Sequence, residues 1–158
     1  MFGIYSFVLL IDLYLLYYLI WRNIFIIYFE VLGKPKALKR HRHFGRRTYD
    51  PNKQDKKDFL IKSLKHKPDV PIIEPIKLEV NFNFKRPISH YRNKISSLFL
   101  KKDAPIYPSV SDLDNLVKFV ADSLNGTFYK DDRQIVQIIA QKYYHPEKDF
   151  TTILIDGI

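Results

Sequence analysis

Cysteine is absent from this chain of 158 residues, and methionine and tryptophan occur once each. Without thiols there can be no disulfide, no zinc–thiolate centre and no thiol nucleophile, so any metal must be held by oxygen or imidazole. Glycine is also scarce at five residues, while 15% of the chain is aromatic, a composition that belongs to a folded domain rather than a disordered tail. The length suits one compact domain and hardly accommodates two.

Acidic residues are too few to balance the basic ones, and the formal charge is +9. The imbalance is local. Met1 to Gly33 carries Arg22 against Asp12 and Glu30, Lys34 to Lys67 carries thirteen basic against three acidic residues, and Pro68 to Ile158 carries twelve of each. The excess is densest in GKPKALKRHRHFGRR, which holds seven Lys or Arg. A basic stripe beside a neutral remainder is what a polyanionic partner requires, because each neutralised phosphate releases condensed counterions.

The opening MFGIYSFVLLIDLYLLYYLI is apolar and just long enough to cross a bilayer, with Trp21 and Arg22 as an interfacial edge. Asp12 opposes this, since a central carboxylate costs roughly 2.5–3.5 kcal/mol on insertion scales. A secretory signal is disfavoured: no basic segment precedes the run and no small-residue cleavage site follows it. Residues 1–21 are therefore expected to form an apolar helical extension, either a membrane anchor or a helix packed on the domain or across a dimer. Residues 22–158 would be the folded domain.

Within that domain, NIFIIYFEVLG reads as a first strand, rich in β-branched and aromatic residues. The basic stretch after it has no clean period and reads as a loop. A helix follows, with Asp50 as N-cap and Pro51 at its first position. IKLEVNFNFKRP alternates strictly, placing Ile76, Leu78, Val80, Phe82 and Phe84 on one strand face. Arg86 to Ser109 forms a long loop, and such loops in compact domains usually carry function. QIVQIIAQKYY and FTTILI read as a terminal hairpin. The expected fold is α+β, two layers with a mixed four-stranded sheet in the order β-α-β-α-β-β.

Between that loop and the last strands lies SDLDNLVKFVADSLNGTFYKDDRQ. At about 100° per residue, Leu113, Leu116, Val117, Val120 and Leu124 form an apolar stripe, and Asp114, Asn115, Lys118 and Asp122 converge on the other side. Asp112 can share a site with Asp114 only from an extended approach, where alternate residues project to one side. Gly126 ends the helix in the left-handed position. Helix capping accounts for one or two of these acids, since Ser111 to Asp114 has S-x-x-D spacing. It does not account for a second pair, Asp131 and Asp132. A DxD motif behind an apolar N-terminus also suggests a membrane-anchored glycosyltransferase, but a nucleotide-sugar domain hardly fits in this length.

The run from Ser111 to Tyr144 resembles the core signature of the RusA-type Holliday junction resolvases. It has two alternate Asp followed by Asn, a Lys one turn on, a D-x-L-N-G helix end and an acidic pair entering the next strand. Upstream, GKPKALKRHR and FKRPISHYRNK resemble the family's basic N-terminal loop and its R-P-x-S-H-Y segment. Ser111 departs from the pattern, standing where the family commonly has proline, and residues 1–21 have no counterpart in it.

The resemblance implies a Mg²⁺-dependent endodeoxyribonuclease, with Mn²⁺ as a substitute, that resolves Holliday junctions by paired nicks in DNA recombination and repair and leaves 5′-phosphates. A non-catalytic branched-DNA-binding protein on the same scaffold is the alternative. By position, the metal-binding carboxylates fall on Asp112, Asp114 and Asp132, with Asp131 as the alternative third ligand, and the catalytic lysine on Lys118. Three carboxylates without thiols suit a hard, octahedral Mg²⁺. Asn115, Asp122 and Asp131 would orient these groups, Asp122 by pairing with Lys118 one turn away. Lys36, Lys39, Arg40, Arg42, Arg46 and Arg47 would grip phosphates away from the nick, and Arg86, His90, Arg92 and Lys94 would lie nearer the cut strand. The implied partners are a four-way or other branched DNA and a second copy of the chain, in a cytoplasmic or nucleoid-associated setting, with residues 1–21 as a membrane tether if they span.

Overall fold

The computed structural model describes residues 25–40, 42–44, 47–93 and 99–158, with backbone alone for 42–44 and 47–48. The apolar extension 1–21, Arg46 and Lys94 lie outside the described residues, as do the side chains of Arg42 and Arg47. Strand β1 is Ile26–Leu32, β2 Arg42–Phe44, β3 Arg47–Tyr49, β4 Ile76–Lys85, β5 Ile135–His145 and β6 Phe150–Gly157. Helix α1 is Lys53–Ser63 and α2 is Leu113–Leu124.

The four long strands form one mixed sheet in the order β1-β6-β4-β5, which bears out the expected α+β class. The strict alternation of β4 gives it one fully buried face. Ile76, Leu78, Val80, Phe82 and Phe84 are all buried, and the residues between them are half-buried on the opposite face. On the buried face they meet Leu116, Val117, Phe119, Val120 and Leu124 of α2, with Phe29 and Val31 of β1 and Ile153 and Ile155 of β6 completing the core. The ring of Phe59 on α1 meets Phe119 edge to face at 5.7 Å, joining the two helices in one layer.

The structure corrects three expectations. The last two strands are not a hairpin: β5 pairs parallel with β4, and β6 crosses to the other side of β4 and runs antiparallel between it and β1. Alternation tells which face a residue occupies, not which strand lies beside it. β6, with Thr151, Ile153 and Ile155 buried, takes the interior place, while β5 keeps Val136 and Ile138 exposed at the edge. The crossing is held by Asp149, whose carboxylate accepts from Lys85 N at 2.8 Å and whose carbonyl accepts from Gly33 N at 3.0 Å. Gly33 has φ +120, a conformation that side chains with a Cβ rarely adopt.

The basic stretch, expected as a loop, contains the antiparallel pair β2–β3. Helix α1 begins two residues later than expected. Its N-cap is Asn52, and Asp50 instead accepts from Asn52 N at 2.8 Å.

Candidate active site

Ser111 prepares the approach to the acidic helix. It has φ 59, and it is the only non-glycine residue with positive φ among the described residues. Proline's ring holds φ near −65°, so the local path here could not be followed by a chain with proline at this position. Lys142 of β5 secures the turn by donating to Ser111 O at 3.0 Å. Asp112 then occupies the N-cap in an extended conformation (φ −74, ψ 139), and its side chain makes no capping hydrogen bond. It is exposed, as expected for a carboxylate approaching from outside the helix.

Asp114 lies in the first turn of α2, and Lys118 Nζ reaches its Oδ2 at 3.2 Å. Both side chains are about three-fifths exposed, at 62% and 60%. The hydrogen bond from Lys118 holds the Asp114 carboxyl below its ordinary pKa. The polar face read from the helix wheel is thus real, but its pairing differs. Asp122 does not meet Lys118. It meets Lys56 of α1 at 3.0 Å, and the same ammonium meets Asp50 at 3.0 Å. Lys118 stands one turn from both acids, and its shorter reach is to Asp114. Burial disfavours charge on Lys56, yet the hydrogen bonds it donates to Asp122 and Asp50 outweigh it and raise its pKa. Asp50 is lowered to about 2, first by the main-chain hydrogen bond from Asn52, then by Lys56 and the Asn52 amide. A carboxyl depressed in the fold contributes stability above its unfolded pKa near 3.8, and that contribution is lost as pH falls toward about 2.

The second acidic pair divides. Asp131 caps the short turn Asp132–Gln134 in a reciprocal box: its carboxylate accepts from Arg133 N at 3.0 Å, and Gln134 Oε1 accepts from Asp131 N at 2.8 Å. Arg133 also donates to Asp131 through its guanidinium, at 3.1 Å from both Nε and Nη2. The D-x-x-Q spacing of Asp131 to Gln134 was the readable sign of this structural role. Asp132 projects from the same turn and is exposed. The turn is tied to the core by Gln134, which donates to Ile72 O at 3.0 Å and Glu74 O at 2.9 Å. Buried Tyr129 donates to Ala121 O of α2 at 2.8 Å. Burial raises the pKa of Tyr129, and the nearby charges of Asp132 and Asp122 raise it further.

Asp112, Asp114 and Asp132 are not drawn into a closed ligand set; among the described residues no group of three or more His, Asp or Glu side chains is gathered so as to hold a metal ion. Their chemistry fits a hard divalent cation, being carboxylate only and exposed, with Asp131 already engaged elsewhere. Exposed like charges have no reason to converge without a cation, and Lys118 serves as the local counter-charge for Asp114.

The basic residues also divide. Leu38 N donates to Asn115 O at 2.8 Å, docking the basic segment on the helix turn that carries Asp114. Lys39 and Arg40 are exposed, whereas Lys36 is ion-paired with Asp55. Arg86 lies over the Tyr144 ring at 4.4 Å and donates to Pro105 O at 2.9 Å, and Arg92 donates to Leu100 O at 3.1 Å. Both guanidinium groups therefore hold the long loop's own main chain. His90 meets Tyr144 edge to face at 5.3 Å, with its Nδ1 buried and without a hydrogen-bond partner among the described residues.

Residues 32–155 match the family described as Endodeoxyribonuclease RusA, a span that includes β1's end, both helices and all the acids of the site. The chain belongs to the RusA family of endodeoxyribonucleases. YqaN of Bacillus subtilis (strain 168), an uncharacterized protein, is 29% identical over 115 residues, 73% of this chain and 81% of the relative. RusA membership fits the division of labour seen here, in which one helix carries carboxylates and a lysine and a basic segment is bonded to its first turn. RusA enzymes act on branched DNA and generally depend on a divalent metal. No helix among the described residues is long and apolar enough to cross a membrane.

Proposed function

We propose that the protein is a Mg²⁺-dependent endonuclease that resolves four-way DNA junctions by paired nicks, acting as a homodimer. The observation that carries this reading is the hydrogen bond from Leu38 N to Asn115 O, which fixes the basic segment to the turn bearing Asp114. Asp112, Asp114 and Asp132 would hold the ion. When bound, Mg²⁺ polarises a phosphoryl oxygen and lowers the pKa of water, making a phosphodiester susceptible to in-line hydrolysis.

The chain's own groups do the rest. Lys118 is close enough to Asp114 to offset that one charge, and it faces solvent, so it can turn to the phosphate and stabilise the charge that gathers there. Lys39 and Arg40 bind backbone phosphates away from the nick, supplying position rather than sequence preference. Asp131 and Gln134 hold the turn from which Asp132 projects. A four-way junction is nearly two-fold symmetric, so opposed cuts call for two copies related by a dyad.

The test is a synthetic four-way junction labelled on each strand, incubated with the protein in Mg²⁺ or EDTA. The expected result is a pair of symmetric nicks near the branch point, only in Mg²⁺, that DNA ligase can reseal because the ends are 5′-phosphate and 3′-hydroxyl. Junction binding without cutting would support the non-catalytic reading instead.

A further inference from the structure

We propose that Asn52 is a positioning residue for DNA: its side-chain amide fixes the main chain of the basic segment, so that Lys39 and Arg40 are presented to backbone phosphates already ordered. The proposal rests on the nuclease reading above. Asn52 is 1% exposed. Its Oδ1 accepts from Lys39 N and its Nδ2 donates to Lys39 O, both at 2.8 Å, a two-point grip on one residue's main chain. The remaining Nδ2 hydrogen goes to Asp50 Oδ1, also at 2.8 Å.

From there the connection continues into the catalytic layer. Asp50 meets Lys56, and Lys56 meets Asp122 on α2. One residue before the grip, Leu38 N is bonded to Asn115 O at the other end of that helix. Adjacent residues of a segment with no regular structure are thus held from two directions, by α1 through Asn52 and by α2 directly. A phosphate-binding segment ordered in advance avoids the entropy cost of being ordered by DNA.

Asn52 is not doing the ordinary work of asparagine at its position. It is the N-cap of α1, where asparagine usually accepts from a main-chain amide of the first turn, yet its backbone is helical (φ −97, ψ −5) and its side chain makes no capping bond. Serine at this place fits the same backbone but is too short to grip Lys39 at both points. Asn52→Ser therefore separates the clamp from the helix.

The experiment is a double-mutant cycle, with affinity for a four-way junction measured by fluorescence anisotropy in Ca²⁺, so that cutting plays no part. It compares wild type, Asn52→Ser, the pair Lys39→Ala with Arg40→Ala, and all three substitutions together. Asn52→Ser is expected to weaken binding about tenfold in the wild-type background, and less than about twofold once Lys39 and Arg40 are alanine, because the clamp then has nothing to present. Single-turnover cutting at saturating protein should stay within about threefold of wild type, giving a loss in affinity rather than in rate. Asn52→Ala, run in parallel, gives the same cycle where serine introduces a new cap.

Equal effects of Asn52→Ser in both backgrounds would mean a general structural role and overturn the proposal. Unchanged binding with a shifted thermal midpoint would do the same. If wild type binds the junction no better than linear duplex, the nuclease reading fails as well, so the two failures are distinguishable.

Discussion

Replacing Asp114 with asparagine is expected to slow Mg²⁺-dependent junction nicking by about three orders of magnitude or more, with junction binding kept or tightened. The side chain is exposed, and its one salt bridge among the described residues is the surface pair with Lys118, of a kind that contributes little to stability. The fold should therefore survive, with a thermal midpoint close to that of wild type. Asparagine keeps the shape of the carboxylate but not its charge, so it is a poor ligand for a hard cation. Removing a negative charge from the proposed DNA-facing surface also relieves repulsion, which is why binding should not fall. Labelled-junction cutting and anisotropy on the same preparation separate the two effects. Cutting at the wild-type rate would show that Asp114 is not part of the reaction centre.

Lys118→Ala is expected to have the next largest effect, about a hundredfold loss of cutting rate with little change in junction affinity. A single lysine among many adds little to overall phosphate attraction, but in the proposed mechanism a charge next to Asp114 acts where the transition state gathers its own. The substitution carries a second signature in the metal-free protein. Lys118 holds the Asp114 carboxyl below its ordinary pKa, chiefly by hydrogen bonding. Without it the carboxyl should titrate at higher pH, which carbon-detected NMR of the aspartate side chains can follow. An unmoved Asp114 titration would mean that the pairing at 3.2 Å is not maintained in solution.

Helix α2 and strand β4 were readable because each has a period that matches its geometry. Leu116, Val117, Val120 and Leu124 repeat at helical spacing, and Ile76 to Phe84 alternate, so burial follows directly from order along the chain. The neighbours of β6 were not readable in this way. Thr151, Ile153 and Ile155 announce a buried face, but nothing local says that β6 passes over β4 rather than turning back on β5.

The site shows the same contrast. The face shared by Asp114 and Lys118 follows from their spacing, whereas the partner of Asp122 lies 66 residues away on α1 and has no signature in the helix itself. Asn52 escaped for a related reason. Beside Pro51 it looks like an ordinary helix-starting residue, and only the fold brings Lys39 across it. Asp131 could have been separated from Asp132 by its spacing to Gln134, which encodes a local cap that Asp132 lacks.

Asp112, Asp114 and Asp132 are proposed to act together on one divalent ion. Mn²⁺ titration of the junction-bound protein, followed by electron paramagnetic resonance, tests it most directly. Wild type should show a tightly bound Mn²⁺ population, and Asp112→Asn, Asp114→Asn and Asp132→Asn should each weaken it by at least about tenfold. Undiminished Mn²⁺ binding in Asp132→Asn would contradict the claim, since the helix and the turn would then not share an ion.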